Sequence, residues 1–344
     1  MVMVTLPNVR LRGIASCVPK SAVTNLDCPE GKRSERERLV RNIGIMSRRI
    51  CYPWMCFSDL AKNAAEHVLE AVGWRADEVD ALIVVTQSPD YPIPATAIIL
   101  QDRLKLRTDI LAYDINLGCS GYPFGLYTLG CMLAHGGIRK ALLLVGDRCA
   151  TLQDPIFSDC GTATALEYDP TAAPIHFDMN SDGSGYRAII LPVGGHREPM
   201  QIQHLLTRVD ADGDVHRDAD LILDGTTVLN FSTQRIPPAI RALCDYAQTP
   251  LEAIDYVVLH QANRMINETI RKKLGLTAEK LPSTLYDFGN TSSASIPLTL
   301  TARLAEPLQT QSTTLLLSGF GIGLSWGSCV LRTNDVKMLP LIEM

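Results

Sequence analysis

The chain has 344 residues, of which 46% are hydrophobic and 20% charged, and its formal net charge is −5. This length and composition predict a globular protein with two domains or one double domain. The negative charge excludes non-specific nucleic-acid binding as an expected function, because such binding depends on surplus Lys and Arg. The apolar runs fall well short of the ~18 residues needed to cross a bilayer, so no membrane partner is expected.

The ten cysteines are scattered, without a C-x-x-C pair and without histidines at ligand spacing. This pattern predicts neither a metal site nor a disulfide framework, and it is typical of reduced thiols in the cytoplasm. The first residues, Met1 to Arg12, lack the basic start and apolar stretch of a signal peptide. We therefore expect a cytoplasmic protein without a bound metal.

Helices and strands alternate along the first half of the chain. Apolar residues at helical spacing predict a helix from Ser58 to Val72, and Gly73 follows at its expected end. The runs Ala81 to Val85 and Ala141 to Val145 have the pattern of buried strands, and Asp114 to Asn116 ends another strand. Continuous apolar strands between helices indicate an α/β protein whose sheet is covered on both faces.

The second half repeats this pattern at a nearly constant offset. Four segments have counterparts, namely Ser232 to Leu243, Asp255 to Gln261, Asp287 to Ser295 and Thr314 to Gly319. We predict two pseudo-symmetric α/β halves, residues 1–175 and 176–344. Their join lies near residues 170–185, where the polar, glycine-containing run from Asp178 to Gly185 predicts a loop.

A functional site in such a duplicated protein is expected between the halves, at the carboxyl ends of equivalent strands. Cys119 follows a strand of the first half, and His260 ends the first strand of the second half. Asn290 follows the strand expected to match the one before Cys119. The sequence therefore predicts that these three side chains face one another.

Cys119 lies between a strand and a predicted helix, in the segment Asn116-Leu-Gly-Cys-Ser-Gly121. A thiol in the first turn of a helix meets the positive end of the helix dipole, which lowers its pKa and favours the nucleophilic thiolate. The flanking glycines permit a tight turn and close approach of a substrate. A buried structural cysteine is the alternative interpretation.

The other two candidate residues are His260 and Asn290, whose side chains can donate hydrogen bonds. His260 lies where a strand gives way to the helix from Arg264 to Leu274, and from there it can exchange protons or donate to a developing oxyanion. A core histidine is the alternative. Asn290 lies in a Gly-Asn pair, for which an ordinary turn is the alternative.

Five segments in order resemble one family. They are Gly44 to Ile50, Asp114 to Gly121, His260 to Asn263, Gly289 to Ser295 and Gly319 to Ser328. Together they are similar to the β-ketoacyl-acyl carrier protein synthase III family, within the thiolase superfamily of condensing enzymes. The resemblance implies a thiolase-like, duplicated αβαβα layered fold with Cys119, His260 and Asn290 as the catalytic residues.

The implied activity is that of an acyltransferase that condenses two acyl units. An acyl group moves from a thioester to Cys119, and decarboxylative Claisen condensation with a malonyl thioester follows, in fatty acid or polyketide-type metabolism. The backbone N–H groups of Cys119 and Ile322 are expected to hold the oxyanion. No cofactor is implied, because the substrates are acyl thioesters on acyl carrier protein or coenzyme A.

The resemblance also implies partners. A homodimer is expected, with Ile93 near the acyl pocket of the partner subunit. An acidic acyl carrier protein is expected to dock on the basic residues of the helix after His260, which are Arg264, Arg271, Lys272 and Lys273.

The sequence departs from the family where the adenine nucleotide of coenzyme A binds. The segment before Gly44 has no Trp, Asn42 stands where an Arg is usual, and the stretch from Arg148 to Asp159 is short. We therefore expect the priming acyl group to arrive on a carrier protein. In the terminal loop, Ile322 replaces a glycine of the family.

Two other functions remain open. One is an acyltransferase that passes the acyl group from Cys119 to an oxygen, nitrogen or sulfur nucleophile without forming a carbon–carbon bond. The other is a non-catalytic partner subunit of a heterodimer. Asn290 favours condensation over simple transfer, and Cys119 argues against a non-catalytic subunit. The run from Asp210 to Asp214 is interpreted as a solvated loop and not a calcium loop.

Overall fold

The structure is a computed structural model that describes residues 2–27, 32–152, 154–209 and 215–344. The predicted loop from Asp210 to Asp214 lies outside these residues. The helices are α1 (Arg33–Ile43), α2 (Phe57–Val72), α3 (Thr96–Arg103), α4 (Gly121–Ala134), α5 (Gly225–Tyr246), α6 (Arg264–Leu274), α7 (Leu285–Phe288), α8 (Ser295–Arg303) and α9 (Ala305–Thr310). Within the described ranges, no helix is both long and apolar enough to cross a membrane.

The strands, in chain order, are β1 (Val2–Leu6), β2 (Val9–Val18), β3 (Ala22–Thr24), β4 (Ser47–Arg49), β5 (Ala81–Val85), β6 (Leu111–Ile115), β7 (Lys140–Asp147), β8 (Cys160–Tyr168), β9 (Ile175–Ser181), β10 (Ile189–Ile190), β11 (Arg208–Val209), β12 (Val215–His216), β13 (Ile222–Leu223), β14 (Tyr256–Leu259), β15 (Thr313–Gly321), β16 (Ser325–Thr333), β17 (Lys337–Met338) and β18 (Ile342–Glu343).

Two large sheets share the same arrangement of four central strands. The first has the order β17-β2-β8-β7-β5-β6, with β18 also beside β2, and the second has the order β1-β9-β16-β15-β14. In the first sheet, β7 runs parallel to β5 and antiparallel to β8, which runs antiparallel to β2. The second sheet repeats these relationships with β15, β14, β16 and β9. The internal duplication predicted from the sequence is therefore present.

Alternating side chains place helices on both faces of the first sheet. On β5, Leu82 and Val84 point outward and pack with α2 and α3. Ile83 and Val85 point inward and pack with α4 and α8. This alternation follows from the period of two residues along a strand. The central helix α4 contains no charged residue, as expected for a helix covered on all sides.

The second sheet covers the other side of the same central layer. Val258 of β14 joins the inner cluster with α4 and α8, whereas Val257 and Leu259 point outward and pack with α5 and α6. The layers are therefore α2 and α3, the first sheet, α4 and α8, the second sheet, and α5 and α6. This is the predicted αβαβα fold.

The loop predicted from Asp178 to Gly185 is wrong in its first four residues, which lie in a strand, whereas the rest forms a turn. Ile175–Ser181 is strand β9, which pairs with β1 and β16 inside the second sheet. Asp178, whose polarity suggested a loop, is buried there and accepts a 2.8 Å hydrogen bond from Asn180 Nδ2. Because β1 belongs to the second sheet and β17 and β18 to the first, each sheet takes strands from across residue 175. The domain division there stays a prediction.

A second difference precedes Asn290. The predicted strand is absent there, and the chain instead forms the short helix α7 after an irregular segment beside β14. That segment contacts the strand through a 2.8 Å hydrogen bond from the Val257 N–H to the Lys280 carbonyl. Pro282 lacks an N–H donor, which interrupts a hydrogen-bonded ladder. Strand β6 therefore has no regular counterpart in the second sheet.

Candidate active site

Cys119 lies in the turn between β6 and α4, immediately before Ser120, the N-cap residue of α4. A 2.7 Å hydrogen bond from the Gly121 N–H to the Gly118 carbonyl closes this turn. The Cys119 side chain is half-buried. The strand-to-helix junction predicted from the sequence is present, although the thiol precedes the first turn of the helix instead of lying in it.

The end of β15 packs against Cys119 backbone to backbone. A Cβ atom at Gly321 would lie 2.7 Å from Cys119 Cβ and 3.2 Å from its sulfur, and a Cβ atom at Gly319 would lie 3.0 Å from the Cys119 carbonyl oxygen. Gly321 also has a φ of 153°, which disfavours any residue with a side chain. This close approach brings the Ile322 N–H within hydrogen-bonding reach of the Cys119 sulfur.

The predicted lowering of the thiol pKa is wrong. Burial raises the pKa of Cys119 to about 12, and the negative charge of Asp147 acts in the same direction. The N–H groups of Ile322 and Cys119 and the hydroxyl of Ser292 lower this pKa, but by less. Removal from water disfavours the thiolate more than the start of α4 favours it. The resting site therefore holds a neutral thiol.

His260 follows β14 and is held on both sides. Its N–H donates to the Ser318 carbonyl of β15 at 2.8 Å, and its Nδ1 lies 2.8 Å from Ser295 Oγ. The ring of Phe320 meets the imidazole edge-on at 5.8 Å between centroids. Burial lowers the pKa of His260 to about 3, so the imidazole is neutral at physiological pH and has one N–H to donate.

Hydrogen bonds fix both the backbone and the side chain of Asn290, and the loop between β7 and β8 supplies the backbone partners. The Asn290 N–H donates to the Ile156 carbonyl at 2.9 Å, and the Ser158 N–H donates to the Asn290 carbonyl at 2.9 Å. The side-chain oxygen accepts a 2.9 Å hydrogen bond from the Ser292 N–H. With its oxygen engaged, Asn290 offers its NH₂ group as a donor.

Ser292 joins the three predicted catalytic side chains. Its N–H donates a hydrogen bond to the side-chain oxygen of Asn290. Its hydroxyl lowers the pKa of the Cys119 thiol, and its carbonyl lies within hydrogen-bonding reach of the His260 ring. Ser292 has a φ of 51°, an uncommon conformation for a residue with a side chain. The sequence analysis did not identify Ser292, and the one signal for it was its place in the segment from Gly289 to Ser295.

Arg48 lies in the segment from Gly44 to Ile50 and holds the loop between β7 and β8. The buried guanidinium donates to the carbonyl oxygens of Thr151 and Phe157 at 2.8 and 3.2 Å, and to Asn25 Oδ1 at 3.0 Å. The loop that Arg48 holds is the one that pairs with Asn290. A segment distant in sequence thereby supports the position of this carboxamide.

The predicted docking residues on α6 differ in their surroundings. Arg264, Lys272 and Lys273 are exposed, and Arg271 is half-buried. Arg271 pairs with Glu268 at 2.7 Å, and Lys273 donates to the Thr233 carbonyl of α5 at 2.9 Å. Ile93 lies on the surface between β5 and α3 with 85% of its area exposed. Among the described residues, no group of three or more His, Cys, Asp or Glu side chains is placed to hold a metal.

Comparisons with known families and structures all match this chain to the same family. Two family models match, 3-oxoacyl-[acyl-carrier-protein] synthase III over residues 113–183 and its C-terminal model over residues 244–333. The chain is 32% identical over 325 residues to β-ketoacyl-[acyl-carrier-protein] synthase III of Streptococcus mutans, covering 92% of this chain and 96% of the relative. It is 30% identical over 339 residues to a putative 3-oxoacyl-[acyl-carrier-protein] synthase 3 of Campylobacter jejuni, covering 95% and 94%.

A solved structure agrees over the whole length. The crystal structure of 3-oxoacyl-(acyl-carrier protein) synthase from Burkholderia xenovorans LB400 matches with a TM-score of 0.91 and 35% identity, covering 100% of this chain and 99% of that one. The fold, the two family models and the end-to-end relatives agree, and the chain belongs to the β-ketoacyl-acyl carrier protein synthase III family of thiolase-fold condensing enzymes.

Proposed function

We propose that this condensing enzyme uses Cys119 as the acyl carrier and His260 and Asn290 as the donors that stabilise the enolate of a malonyl thioester. The observation that carries the proposal is the position of Ser292. Its N–H, carbonyl and hydroxyl interact with Asn290, His260 and Cys119 respectively. A thiol, a neutral imidazole and a carboxamide thus surround one residue at the junction of the two halves.

In the first half-reaction, Cys119 attacks the carbonyl carbon of an acyl thioester. The tetrahedral intermediate carries a negative oxygen, for which the N–H groups of Cys119 and Ile322 serve as donors. These N–H groups already point toward the Cys119 sulfur, so they meet an oxyanion formed on an attached carbon without rearrangement. Departure of the carrier thiol leaves an acyl group on Cys119.

In the second half-reaction, a malonyl thioester loses carbon dioxide. The electron pair of the broken C–C bond forms an enolate, whose oxygen accepts hydrogen bonds from His260 and Asn290. Two neutral donors in a buried site stabilise this developing charge, and loss of one such donor costs ~10²–10³ in rate. The enolate carbon then attacks the acyl carbon on Cys119, and the Cys119 thiolate leaves.

Acyl carrier protein is the proposed partner, and α6 is its proposed docking site. Arg264 begins this helix and Lys272 lies in its last turn, and both are exposed. Glu268 offsets the charge of Arg271, and the ammonium of Lys273, although exposed, is engaged by the Thr233 carbonyl of α5. The proposed contact with an acidic carrier therefore rests mainly on Arg264 and Lys272. Lys272→Glu should weaken the reaction with carrier-bound substrates, whereas Lys337→Glu, at an exposed position of the short strand β17, should not.

The test of the proposed function is carbon dioxide release from malonyl-acyl carrier protein. Release should require an acyl group on Cys119, and the product should be the β-ketoacyl carrier protein. Acyl transfer to an added alcohol, amine or thiol without carbon dioxide release would support the acyltransferase alternative. A protein that neither acquires an acyl group nor releases carbon dioxide would fit a non-catalytic subunit.

A second experiment addresses the acyl donor. We propose that the priming acyl group arrives on a carrier protein, because the segment before Gly44 lacks the aromatic residue that would stack on adenine. Such stacking is worth ~1–3 kcal/mol. The same acyl group should acylate Cys119 faster from acyl carrier protein than from coenzyme A. Equal or faster acylation from coenzyme A would refute this proposal.

We also propose a cytoplasmic homodimer that needs no cofactor beyond its thioester substrates. The cysteines that the structure describes are unpaired, which suits a reducing compartment. Ile93 and Tyr91 are both exposed on one loop, and large apolar side chains at the surface favour an interface. In this proposal, Ile93 borders the acyl pocket of the partner subunit.

A further inference from the structure

The carboxyl group of Asp147 is a buried acid near Cys119 that the mechanism above does not use. Asp147 ends β7 and is 2% exposed. Its Oδ1 accepts hydrogen bonds from the Gln87 N–H at 2.6 Å, from Thr86 Oγ1 at 2.9 Å and from Ser88 Oγ at 3.2 Å. Its Oδ2 is buried and has no hydrogen-bond partner among the residues that the structure describes. An unpartnered buried carboxylate oxygen is costly.

Ser292 lies between this carboxyl group and the nucleophile. The turn Ser292–Ala294 packs against β7, and the Ser292 hydroxyl lies close enough to lower the pKa values of both Asp147 and Cys119. A serine hydroxyl both donates and accepts, so it can receive a proton from a thiol while it gives its own proton to a carboxylate.

We propose that the Asp147 carboxylate takes up the Cys119 proton through the Ser292 hydroxyl when the sulfur attacks. This inference rests on the proposed role of Cys119 as nucleophile. The thiol proton moves to Ser292 Oγ, the Ser292 hydroxyl proton moves to Asp147 Oδ2, and the sulfur forms its bond to the acyl carbon. The proton held on Asp147 balances the thiolate that leaves the donor, which departs as a thiol. Asp147 acts through Ser292 and is therefore a positioning residue.

The electrostatics of the site favour this coupling. A thiolate beside an ionised Asp147 would place two negative charges in one buried site, and the charge of Asp147 does raise the pKa of Cys119. Transfer of the proton to Asp147 keeps a single negative charge in the site. Burial raises the pKa of Asp147, which makes it a better acceptor than an exposed carboxylate. Other titratable groups near Asp147 are the thiol of Cys149, which is exposed, and that of Cys160, whose pKa burial raises.

The experiment measures alkylation of Cys119 by iodoacetamide between pH 6 and pH 9, mapped by mass spectrometry. Asp147→Asn keeps the shape of the side chain and removes the proton acceptor. It should slow alkylation at neutral pH by about 10- to 100-fold, a modest share of the usual contribution of a general base. Its rate should then rise about tenfold per pH unit, as expected for free ionisation of a thiol. The wild-type rate should rise less steeply across the same range.

Two further variants make the result specific. Ser292→Ala keeps the backbone groups that hold Asn290 and His260 but lacks the hydroxyl, so it should reproduce the Asp147→Asn profile, and the double variant should be no slower. Asp178→Asn is the matched control, because Asp178 is also buried with an unpartnered Oδ2 among the described residues, and it should alkylate like wild type.

Two outcomes would overturn the proposal. If the only effect of Asp147 is that its negative charge disfavours the Cys119 thiolate, Asp147→Asn will react as fast as wild type or faster. If Asp147 only supports the structure, the variant will be slower by the same factor at every pH. Alkylation requires neither an acyl donor nor a malonyl group. A protein with the expected profiles that releases no carbon dioxide would retain this relay and refute the condensation.

Discussion

The side-chain oxygen of Asn290 accepts a 2.9 Å hydrogen bond from the backbone N–H of Ser292, two residues further along the chain. This bond sets which end of the carboxamide faces the site, because an oxygen already engaged by a donor leaves the NH₂ group to act on a substrate. The Asn290 carboxamide and the neutral imidazole of His260 therefore present two donors and no positive charge. Such a site suits an enolate oxygen.

The two half-reactions should separate by mutation. His260→Ala and Asn290→Ala should still form the acyl adduct on Cys119, because their proposed role begins with the malonyl thioester. Condensation should fall by about 10²–10³-fold in each variant, the usual effect of losing one oxyanion donor. Intact-protein mass spectrometry measures the adduct, and carbon dioxide release measures condensation.

His176→Ala is the control for loss of a histidine, since His176 contacts Thr5 at the edge of the second sheet. This variant should condense normally. Condensation near the wild-type rate in either His260→Ala or Asn290→Ala would show that the assigned residue does not stabilise the enolate.

Gly321→Ala should damage the nucleophile by steric contact. The added Cβ would lie 2.7 Å from Cys119 Cβ, so the Cys119 turn or the end of β15 must shift. A displacement of this kind typically costs ~10²-fold in rate, and acylation of Cys119 should fall by about that factor. Gly137→Ala is the matched control, because a Cβ there meets no atom within 4 Å. Unchanged acylation in Gly321→Ala would contradict the close packing.

Arg48→Met should weaken both the fold and the site. The substitution leaves the carbonyl oxygens of Thr151 and Phe157 without their donor, and loss of such a buried network lowers the free energy of unfolding by about 2–4 kcal/mol. Condensation should suffer more than acylation, because the loop affected holds Asn290. Arg75→Met removes an exposed ion pair with Asp77 and should change stability little. Equal effects of both substitutions on urea denaturation would count against this role.

The buried histidine predicts a pH dependence of stability. The pKa of His260 is about 3 in the folded protein, below its ordinary value of 6.5. Between these values the unfolded chain binds a proton that the folded chain does not, so stability falls as the pH drops below about 6.5. From pH 7.5 to pH 5, the difference in unfolding free energy between wild type and His260→Gln should shift by about 2 kcal/mol in favour of the variant.

Urea denaturation at several pH values measures this shift. The variant removes the group that resists protonation, so the acid-induced loss of stability should become smaller. A difference that stays constant from pH 7.5 to pH 5 would mean that His260 titrates normally in the folded protein.

The proposed homodimer gives a test at the surface. Ile93→Asp should weaken association, because a charge buried in an apolar contact is costly. Ile202→Asp is the matched control, since Ile202 is also exposed, at 83% against 85% for Ile93. Light scattering at micromolar concentration should find a dimer for wild type and the control, and a smaller species for Ile93→Asp. A monomeric wild-type protein would refute the dimer.

The sequence by itself determined the elements whose signals are local. Helix α6 begins at Arg264 and ends at Leu274 as predicted, because Asn263 caps its first turn and Gly275 ends it in the left-handed conformation. The strand Ala81–Val85 also agrees with prediction, since a fully apolar run between helices has few other places to lie. The repeated order of these elements predicted two similar α/β halves, and the family resemblance added the layered arrangement.

The tertiary structure decided those properties that depend on burial and on residues distant in sequence. Strand β9 contains Asp178, whose polarity predicts a loop until its burial and its bond to Asn180 are known. The pKa of Cys119 is raised and not lowered, because removal from water outweighs the effect of the helix start. Asp147 and Ser292 lie far apart in sequence, and they meet Cys119 because the central layer brings the two halves of the chain together.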